Sequence, residues 1–163
     1  MILAENLIKT LKKSKIDFYT GVPDSILKDF SICLEKFSKK KHIIATNEGS
    51  AVALGIGHYL STKKIACVYL QNSGLSNAIN PLLSIASKDV YSIPLLMMIG
   101  WRGSPGMQDE PQHMAKGRIT KNILRLLKID FCILKKSNDL LKLNKLISKS
   151  YKTKRIVACL IEK

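Results

Sequence analysis

Two nearly all-apolar segments constrain the fold of this chain more than any other feature. They are Ile65–Leu70 and Pro94–Ile99, and a polar turn follows each of them. A strand that is covered on both faces has no polar side, so such runs are typical of central strands in a parallel sheet. The segment between them, from about Leu75 to Ser87, is interpreted as a crossover helix. The pattern therefore predicts an α/β fold.

The same alternation of helix and strand continues along the whole chain. Helices are predicted over residues 2–13, 26–34, 48–60, 75–87, 114–127 and 138–150. Strands are predicted over residues 16–20, 43–46, 65–70, 94–99, 131–134 and 156–161, with the strand at 43–46 short and buried. Single helices between strands imply right-handed crossovers. We predict one domain over residues 1–163, with an open, largely parallel six-stranded sheet and helices on both faces.

Membrane and metal functions are not predicted from this sequence. No apolar run approaches the roughly 20 residues that span a bilayer, and the N-terminus lacks the basic segment and long apolar stretch of a signal peptide. We therefore expect a cytoplasmic protein. The cysteines and histidines show no Cys-x-x-Cys or His-x-x-x-His spacing, so no metal site is predicted within this chain.

The strong positive charge needs an explanation other than nucleic-acid binding. Lysine and arginine number 27 against 12 acidic residues, which gives a formal charge of +15. The lysines fall in short runs, no aromatic residues interleave with them to stack bases, and only four of the basic residues are arginine. We interpret the charge as a solvated lysine-rich surface, or as a surface that attracts an acidic partner subunit.

Polar residues collect where the predicted strands end. They occupy residues 21–25, 46–49, 71–74 and 100–103, and the loop after the last of these contains residues 109–113. Open parallel sheets bind ligands at the carboxyl ends of their strands. The sequence contains no P-loop, no complete dinucleotide fingerprint and no Gly-x-Ser-x-Gly elbow. The sequence thus predicts a ligand-binding edge that has no phosphate cradle of its own.

Six motifs along this edge resemble one enzyme family. They are residues 19–25 (YTGVPDS), 45–51 (ATNEGSA), 71–81 (QNSGLSNAINP), 99–103 (IGWRG), 109–113 (DEPQH) and 117–120 (GRIT). In this order they resemble the N-terminal half of phosphonopyruvate decarboxylase and the alpha subunit of sulfopyruvate decarboxylase. The resemblance implies a thiamine diphosphate enzyme and, within it, the pyrimidine-binding domain.

The resemblance assigns the main catalytic role to Glu48. In such enzymes a glutamate hydrogen-bonds N1′ of the aminopyrimidine ring and favours the imino tautomer that takes the proton from C2 of the thiazolium, and Glu48 matches that glutamate. The position is consistent with this role, because Glu48 falls in the first turn of a predicted helix, just after a predicted buried strand. A carboxyl among apolar neighbours there would be desolvated. The alternative is a carboxylate that only caps the helix.

Three further residues are assigned to substrate binding or proton transfer by the same resemblance. Asp24 resembles an acidic residue that lies near the substrate and takes part in catalysis, and Ser25 beside it is a substrate-binding candidate. His113 could donate a proton or a hydrogen bond to the developing product. The alternatives are that Asp24 or Ser25 caps the next helix and that His113 faces solvent.

Four residues complete the predicted site. Arg102 and Arg118 are candidates for binding the distal acid group of the substrate, because a guanidinium suits a multiply charged oxyanion. Gln71 and Asn72 are expected to flank the thiazolium of the cofactor or the substrate. An ordinary helix-surface residue remains the alternative for Arg118, and turn chemistry remains the alternative for Gln71 and Asn72.

A missing motif predicts a partner chain. Thiamine diphosphate enzymes hold the diphosphate through Mg²⁺ in a second domain that is marked by Gly-Asp-Gly, and this sequence contains no Asp-Gly dipeptide. We expect a separate beta subunit with the Mg²⁺ ligands, in an assembly of two alpha and two beta subunits. The expected reaction converts 3-phosphonopyruvate to phosphonoacetaldehyde and CO₂. The alternatives are decarboxylation of 3-sulfopyruvate, which is also an anionic 2-oxo acid, and a non-catalytic α/β binding module.

Overall fold

Helices and strands alternate in the computed structural model, which describes residues 3–162. The strands are β1 to β6 in chain order, and they span Tyr19–Gly21, His42–Ile44, Ala66–Gln71, Leu95–Gly100, Asp130–Leu134 and Val157–Ile161. The helices are α1 to α6 in chain order, and they span Ala4–Lys13, Lys28–Ser38, Glu48–Thr62, Leu75–Pro81, Pro111–Leu126 and Leu140–Thr153. None of the helices between residues 3 and 162 combines the length and hydropathy needed to cross a bilayer.

All six strands are parallel and form one open sheet in the order β2-β1-β3-β4-β6-β5. One face of the sheet packs on α3, α4 and α5, and the other face packs on α1, α2 and α6. Successive residues of β3 alternate between the two cores: Val68 and Leu70 belong to the first, and Cys67 and Tyr69 to the second. The predicted fold class is confirmed.

The strand predicted over residues 43–46 differs from the expectation. It spans His42–Ile44 and forms an edge of the sheet, so only one neighbour covers it. Ile43 and Ile44 are 42% and 56% exposed, and the buried side chain of this strand is His42. The prediction of a buried strand was wrong because an apolar run shows which residues favour a strand, but not where that strand lies in the sheet.

The helix predicted over residues 75–87 consists of two parts. Regular α4 ends at Pro81, and the chain continues as a π-helical turn over Leu82–Ala86. Proline has no N–H to donate to the carbonyl of Asn77, so the regular hydrogen-bond ladder is interrupted at this point. The N-terminal part of α4 carries the side chain that contacts Glu48, as described below.

A close contact between two backbones joins α5 to the end of β4. A Cβ on Gly117 of α5 would overlap the backbone carbonyl of Gly103, which itself has a left-handed φ of 63°. Trp101, which follows β4, is buried, and its indole N–H donates a hydrogen bond to the carbonyl oxygen of Gly117 at 3.0 Å. These contacts fix the position of α5 relative to the carboxyl edge of the sheet.

We expect Gly117→Ala to lower the free energy of unfolding by about 1–3 kcal/mol, because the added methyl group has no space at the contact with Gly103. Gly57 is the matched control, because it also lies inside a helix but a Cβ there would meet no atom within 4 Å. Gly57→Ala should raise the free energy of unfolding by about 0.5–1 kcal/mol. Urea unfolding of both variants measures the difference, and equal effects would contradict the packing described here.

Candidate functional site

The polar turns after β1, β3 and β4 lie side by side, because these three strands are neighbours in the sheet. The turns are residues 22–27, 72–74 and 101–110, and residues 45–47 after the edge strand extend the row. Ligands bind at this edge of parallel sheets. The site residues predicted from the sequence lie in these turns or in the helices that follow them.

Glu48 is the first residue of α3, and its side chain reaches over the end of β3. Its Oε2 accepts a hydrogen bond from the side-chain amide of Asn77 at 2.9 Å. A Cβ on Gly74 would overlap the Glu48 carboxyl, so the carboxyl lies directly against the Cα of that glycine. Because only glycine leaves this space, Gly74 forms a cradle for the carboxyl.

The sequence predicts a Glu48 carboxyl enclosed by apolar side chains, and this prediction was wrong, because the residue is only half-buried. The reason is that the strand before it is an edge strand, and that its neighbours within the chain are an amide and a glycine. The second oxygen, Oε1, has no hydrogen-bond donor within residues 3–162. The carboxyl therefore has one oxygen held by the Asn77 amide, while the other lies against Gly74 without a hydrogen-bond donor in the described chain.

Asp24 lies in the turn after β1, and its side chain reaches to the end of β4. Its Oδ1 accepts a hydrogen bond from the backbone N–H of Ile26 at 2.6 Å, which forms a local turn ahead of α2. Its Oδ2 is buried, has no hydrogen-bond partner in the described part of the chain and fills the space that a Cβ on Gly100 would need. An unpartnered buried acceptor is costly, and such atoms are often found at functional sites.

Burial raises the pKa of the Asp24 carboxyl above its ordinary value, while the backbone N–H groups of Ile26 and Leu27 and the charge of Arg102 act in the opposite direction. Asp24 therefore keeps its proton at a higher pH than a surface aspartate does. A carboxyl with a raised pKa at a ligand-binding edge is suited to proton transfer.

Asn72 connects three elements at the centre of the edge. Its Nδ2 donates to the carbonyl oxygen of Arg102 and to the Thr120 hydroxyl, both at 3.0 Å, and its Oδ1 accepts from the backbone N–H of Arg102 at 3.1 Å. The residue is only 5% exposed. Its amide thus holds the loop after β4 and helix α5 against the end of β3. Neighbouring Gln71 is half-buried and donates to the Ser73 hydroxyl at 2.6 Å.

Arg102 and Asp109 form a bidentate ion pair within the loop after β4. Arg102 Nε donates to Asp109 Oδ2 at 2.9 Å, and Arg102 Nη2 donates to Asp109 Oδ1. The backbone N–H groups of Gly103 and Glu110 donate to the same carboxylate at 3.1 and 2.9 Å. The hydrogen bond from Arg102 is the main reason why the pKa of Asp109 lies well below its usual range.

A cleft of about 310 Å³ lies between the turn after β1 and the loop after β4. Its walls include Ser25, Ile26, Arg102, Met107 and Asp109. The cleft contains a hydroxyl and a guanidinium, which are both suited to an anionic ligand. Two of the predicted substrate-binding residues, Ser25 and Arg102, thus line the same space.

The other two candidates, His113 and Arg118, lie on α5. His113 is half-buried in the first turn of the helix, whose N-terminus is at the carboxyl edge of the sheet. Arg118 is exposed one and a half turns further along the helix, and no residue in the range 3–162 hydrogen-bonds its side chain. The structure places His113 at the edge, while the role of Arg118 stays a prediction.

Four residues of the site were not predicted as site residues: Gly74, Asn77, Asp109 and Thr120. Each falls inside one of the sequence motifs, but its function depends on a partner elsewhere in the chain. Asp109 was the most accessible to sequence reasoning, because an acidic residue and an arginine in one loop can pair. Gly74 and Glu48 lie in different turns, so their contact cannot be predicted from the sequence around either residue.

We expect the stability difference between Asp24→Asn and the unchanged protein to depend on pH. The folded protein keeps the Asp24 proton to a higher pH than the unfolded chain, so ionisation costs stability as the pH rises from the ordinary pKa of an aspartate through the raised pKa of Asp24. The asparagine variant lacks this cost, and its relative stability should increase over that range. Urea unfolding at several pH values measures the trend, and a pH-independent difference would argue against a raised pKa.

The chain matches a known protein family over most of its length. The family described as "Thiamine pyrophosphate enzyme, N-terminal TPP binding domain" matches residues 1–123. Two curated relatives illustrate the match. "Phosphonopyruvate decarboxylase" of Streptomyces viridochromogenes is 34% identical over 139 residues, which are 85% of this chain and 34% of that protein.

The second relative has nearly the same extent as this chain. "Sulfopyruvate decarboxylase subunit alpha" of Methanococcus maripaludis is 33% identical over 145 residues, which are 89% of this chain and 84% of that protein. The chain therefore spans about a third of the length of the phosphonopyruvate decarboxylase and most of the length of the alpha subunit.

Solved structures agree with the fold. A putative thiamin diphosphate-dependent enzyme from Mycobacterium smegmatis superposes with a TM-score of 0.72 at 18% identity, covering 99% of this chain and 31% of that one. Benzoylformate decarboxylase from Polynucleobacter necessarius gives a TM-score of 0.72 at 21% identity. Together, the family match and the relatives show that this chain belongs to the thiamine pyrophosphate enzymes, as their N-terminal TPP-binding domain.

Proposed function

We propose that this chain is the alpha subunit of a thiamine diphosphate-dependent decarboxylase that acts on an anionic 2-oxo acid, with 3-phosphonopyruvate as the substrate and phosphonoacetaldehyde and CO₂ as the products. Within it, we propose that residues 1–163 form a pyrimidine-binding domain. The observation that carries the proposal is the Glu48 carboxyl, which is held by Asn77 and cradled by Gly74 at the carboxyl edge of the sheet.

The geometry around Glu48 fits the cofactor. A pyrimidine ring nitrogen needs one hydrogen-bonding carboxyl that is fixed in place, and Glu48 has one oxygen bound to Asn77 and the other without a donor in the described chain. When bound, thiamine diphosphate supplies the electron sink that stabilises the charge left by departing CO₂. Glu48 would hold a proton at the ring nitrogen and so set the protonation state of the ring.

Asp24 and His113 are proposed to move protons on the substrate side of the site. Burial raises the pKa of Asp24, so this carboxyl keeps a proton to a higher pH than a surface aspartate and is suited to proton transfer. His113, in the first turn of α5, would donate a proton or a hydrogen bond to the developing product. Ser25 and Arg102 line the adjacent cleft, where the distal acid group of the substrate would bind, with exposed Arg118 as a second candidate.

Gln71 and Asn72 are proposed to support the cofactor from the end of β3. The side chain of Gln71 is half-buried at the edge and is available to a ligand if it exchanges its bond to Ser73. The side chain of Asn72 is bound to Arg102 and Thr120, so its contribution would be to shape the floor of the site.

A partner beta subunit is proposed to carry the diphosphate-binding domain and the Mg²⁺ ligands. Within residues 3–162 there is no cluster of three or more histidine, cysteine or acidic residues that could hold a metal ion. Apolar residues remain exposed on β2 and along α3, the helix that begins with Glu48, namely Ile43, Ile44, Leu54 and Leu60. A partner that covers this surface would also enclose the half-buried Glu48 carboxyl. The net charge of +15 favours an acidic partner.

The subunit organisation is supported by the relative with similar extent. The protein of Methanococcus maripaludis is named subunit alpha, and this chain covers 84% of it. We propose an assembly of two alpha and two beta subunits. The relatives named for the phosphonate substrate are about three times longer than the matched region. The similar length of this chain and the sulfopyruvate decarboxylase subunit therefore favours a second candidate substrate, 3-sulfopyruvate.

The test is CO₂ release by the complex. The chain is co-purified with a candidate beta chain that contains Gly-Asp-Gly, supplied with thiamine diphosphate and Mg²⁺, and given each of the two acids. We expect turnover of 3-phosphonopyruvate and a loss of about a hundredfold to ten-thousandfold in Glu48→Gln, which cannot hold the proton. Glu5→Gln is the matched control, because Glu5 also lies in the first turn of a helix but is exposed and hydrogen-bonds to no site residue in the described chain.

Four outcomes discriminate between the candidates. Faster turnover of 3-sulfopyruvate would assign the second substrate. Turnover of neither acid by a folded complex would exclude the decarboxylase. A Glu48→Gln complex that works at the full rate would exclude Glu48 from the reaction, and a chain that forms no complex at all would favour the non-catalytic binding module.

A further inference from the structure

We propose that Asp109 is a positioning residue that orients Arg102 towards the distal acid group of the substrate. This inference rests on the proposed function, because it concerns the phosphonate or sulfonate group that the two candidate acids carry and that pyruvate lacks. It selects Arg102 over Arg118 as the anion-binding arginine, and it gives Asp109 a role in substrate specificity.

The backbone of Arg102 is fixed first. The side chain of Asn72 both accepts from the N–H and donates to the carbonyl of Arg102, at 3.1 and 3.0 Å. Asn72 is itself buried and is tied to Thr120 on α5. The Cα of Arg102 is therefore held between β3 and α5, and the remaining freedom of the residue lies in its side chain.

The side chain of Arg102 is fixed by Asp109. The Asp109 carboxylate accepts from two guanidinium nitrogens and from the backbone N–H groups of Gly103 and Glu110. A carboxylate has about four acceptor positions, so Asp109 is saturated. Because the same carboxylate holds two backbone groups, it cannot leave the guanidinium without opening the loop. Asp109 is thus a rigid support for Arg102.

The ion pair leaves donors available on the side of the cleft. A guanidinium carries five N–H groups, and Asp109 takes one on Nε and one on Nη2. The other three have no acceptor among residues 3–162. The side chain of Arg102 is 28% exposed and that of Asp109 only 14%, so the arginine is the more accessible member of the pair. Both line the cleft of about 310 Å³ that also contains Ser25.

These donors match the chemistry of the proposed substrates. A phosphonate or sulfonate presents three oxygens on a tetrahedral centre, and an oriented guanidinium binds two of them through parallel hydrogen bonds. An arginine that is already held in place loses less conformational entropy on binding than a free one does. Arg118, which has no such support in the described chain, would have to be ordered by the ligand itself.

The experiment compares substrates with and without the distal acid group. The complete complex is assayed with the better of the two acids and with pyruvate, as a slow substrate or a competitive inhibitor. We expect Asp109→Asn to raise the KM of the acid by about tenfold to a hundredfold, with kcat nearly unchanged, because Arg102 loses a charged hydrogen-bond partner. The KM or inhibition constant of pyruvate should stay the same, because pyruvate does not reach Arg102.

Two further variants separate orientation from loop stability and from charge. Glu110→Gln removes a charge from the same loop without removing a hydrogen bond to Arg102, and it should leave both compounds unaffected. Arg102→Lys keeps a cation that can pair with Asp109, but it lacks the fork, so it should raise the KM of the acid selectively even if Asp109→Asn fails to assemble.

The possible results are distinguishable. Equal impairment with the acid and with pyruvate would overturn the proposal, because it would show that the pair only stabilises the loop. A lower KM of the acid in Asp109→Asn would also overturn it, because Asp109 would then be a competitor of the substrate. Absence of turnover of both acids by the unchanged complex would refute the proposed function itself, before any variant is compared.

Discussion

The burial of β3 and β4 on both faces is the constraint on which the rest of the structure depends. These strands carry apolar side chains in both directions, so helices must cover both sides and polar residues can collect only where the strands end. The parallel direction of all strands then puts those ends at one edge. The neighbouring strands bring Asp24, Glu48, Asn72 and Arg102 into one row, although the first and the last are 78 positions apart in the sequence.

Within that row, the site is built from side chains that hold other side chains. Asn77 and Gly74 fix Glu48, and Asn72 and Asp109 fix Arg102. Buried or saturated polar groups thus orient two charged residues. This is the arrangement that substrate positioning requires. Asp24 is different, because one of its oxygens has no partner in the described chain and its pKa is raised by burial. Such a group lowers stability and is retained where its chemistry is useful.

The sequence was sufficient for the fold class and for the edge at which the site lies, because hydrophobic periodicity reports burial and turn residues report strand ends. It was not sufficient for the position of β2, where two isoleucines predicted burial and the strand lies at the edge with both exposed. It also did not reveal the cradle of Gly74 or the amide of Asn77, because those contacts join residues far apart in the chain. The motif around Asp109 was visible, but its bond to Arg102 depends on how the loop folds back.

The exposed edge at β2 has a consequence for the chain before it meets any partner. An apolar edge strand offers unpaired backbone groups to other extended chains and is a hazard for aggregation. Here the strand is only three residues long, and three consecutive lysines, Lys39–Lys41, form a turn directly before it. Lys41 is paired with Asp17, and the charges of Lys39 and Lys40 disfavour a second copy that approaches this edge in register. The same charge does not repel an acidic protein. Such a protein would cover Ile43 and Ile44 at this edge.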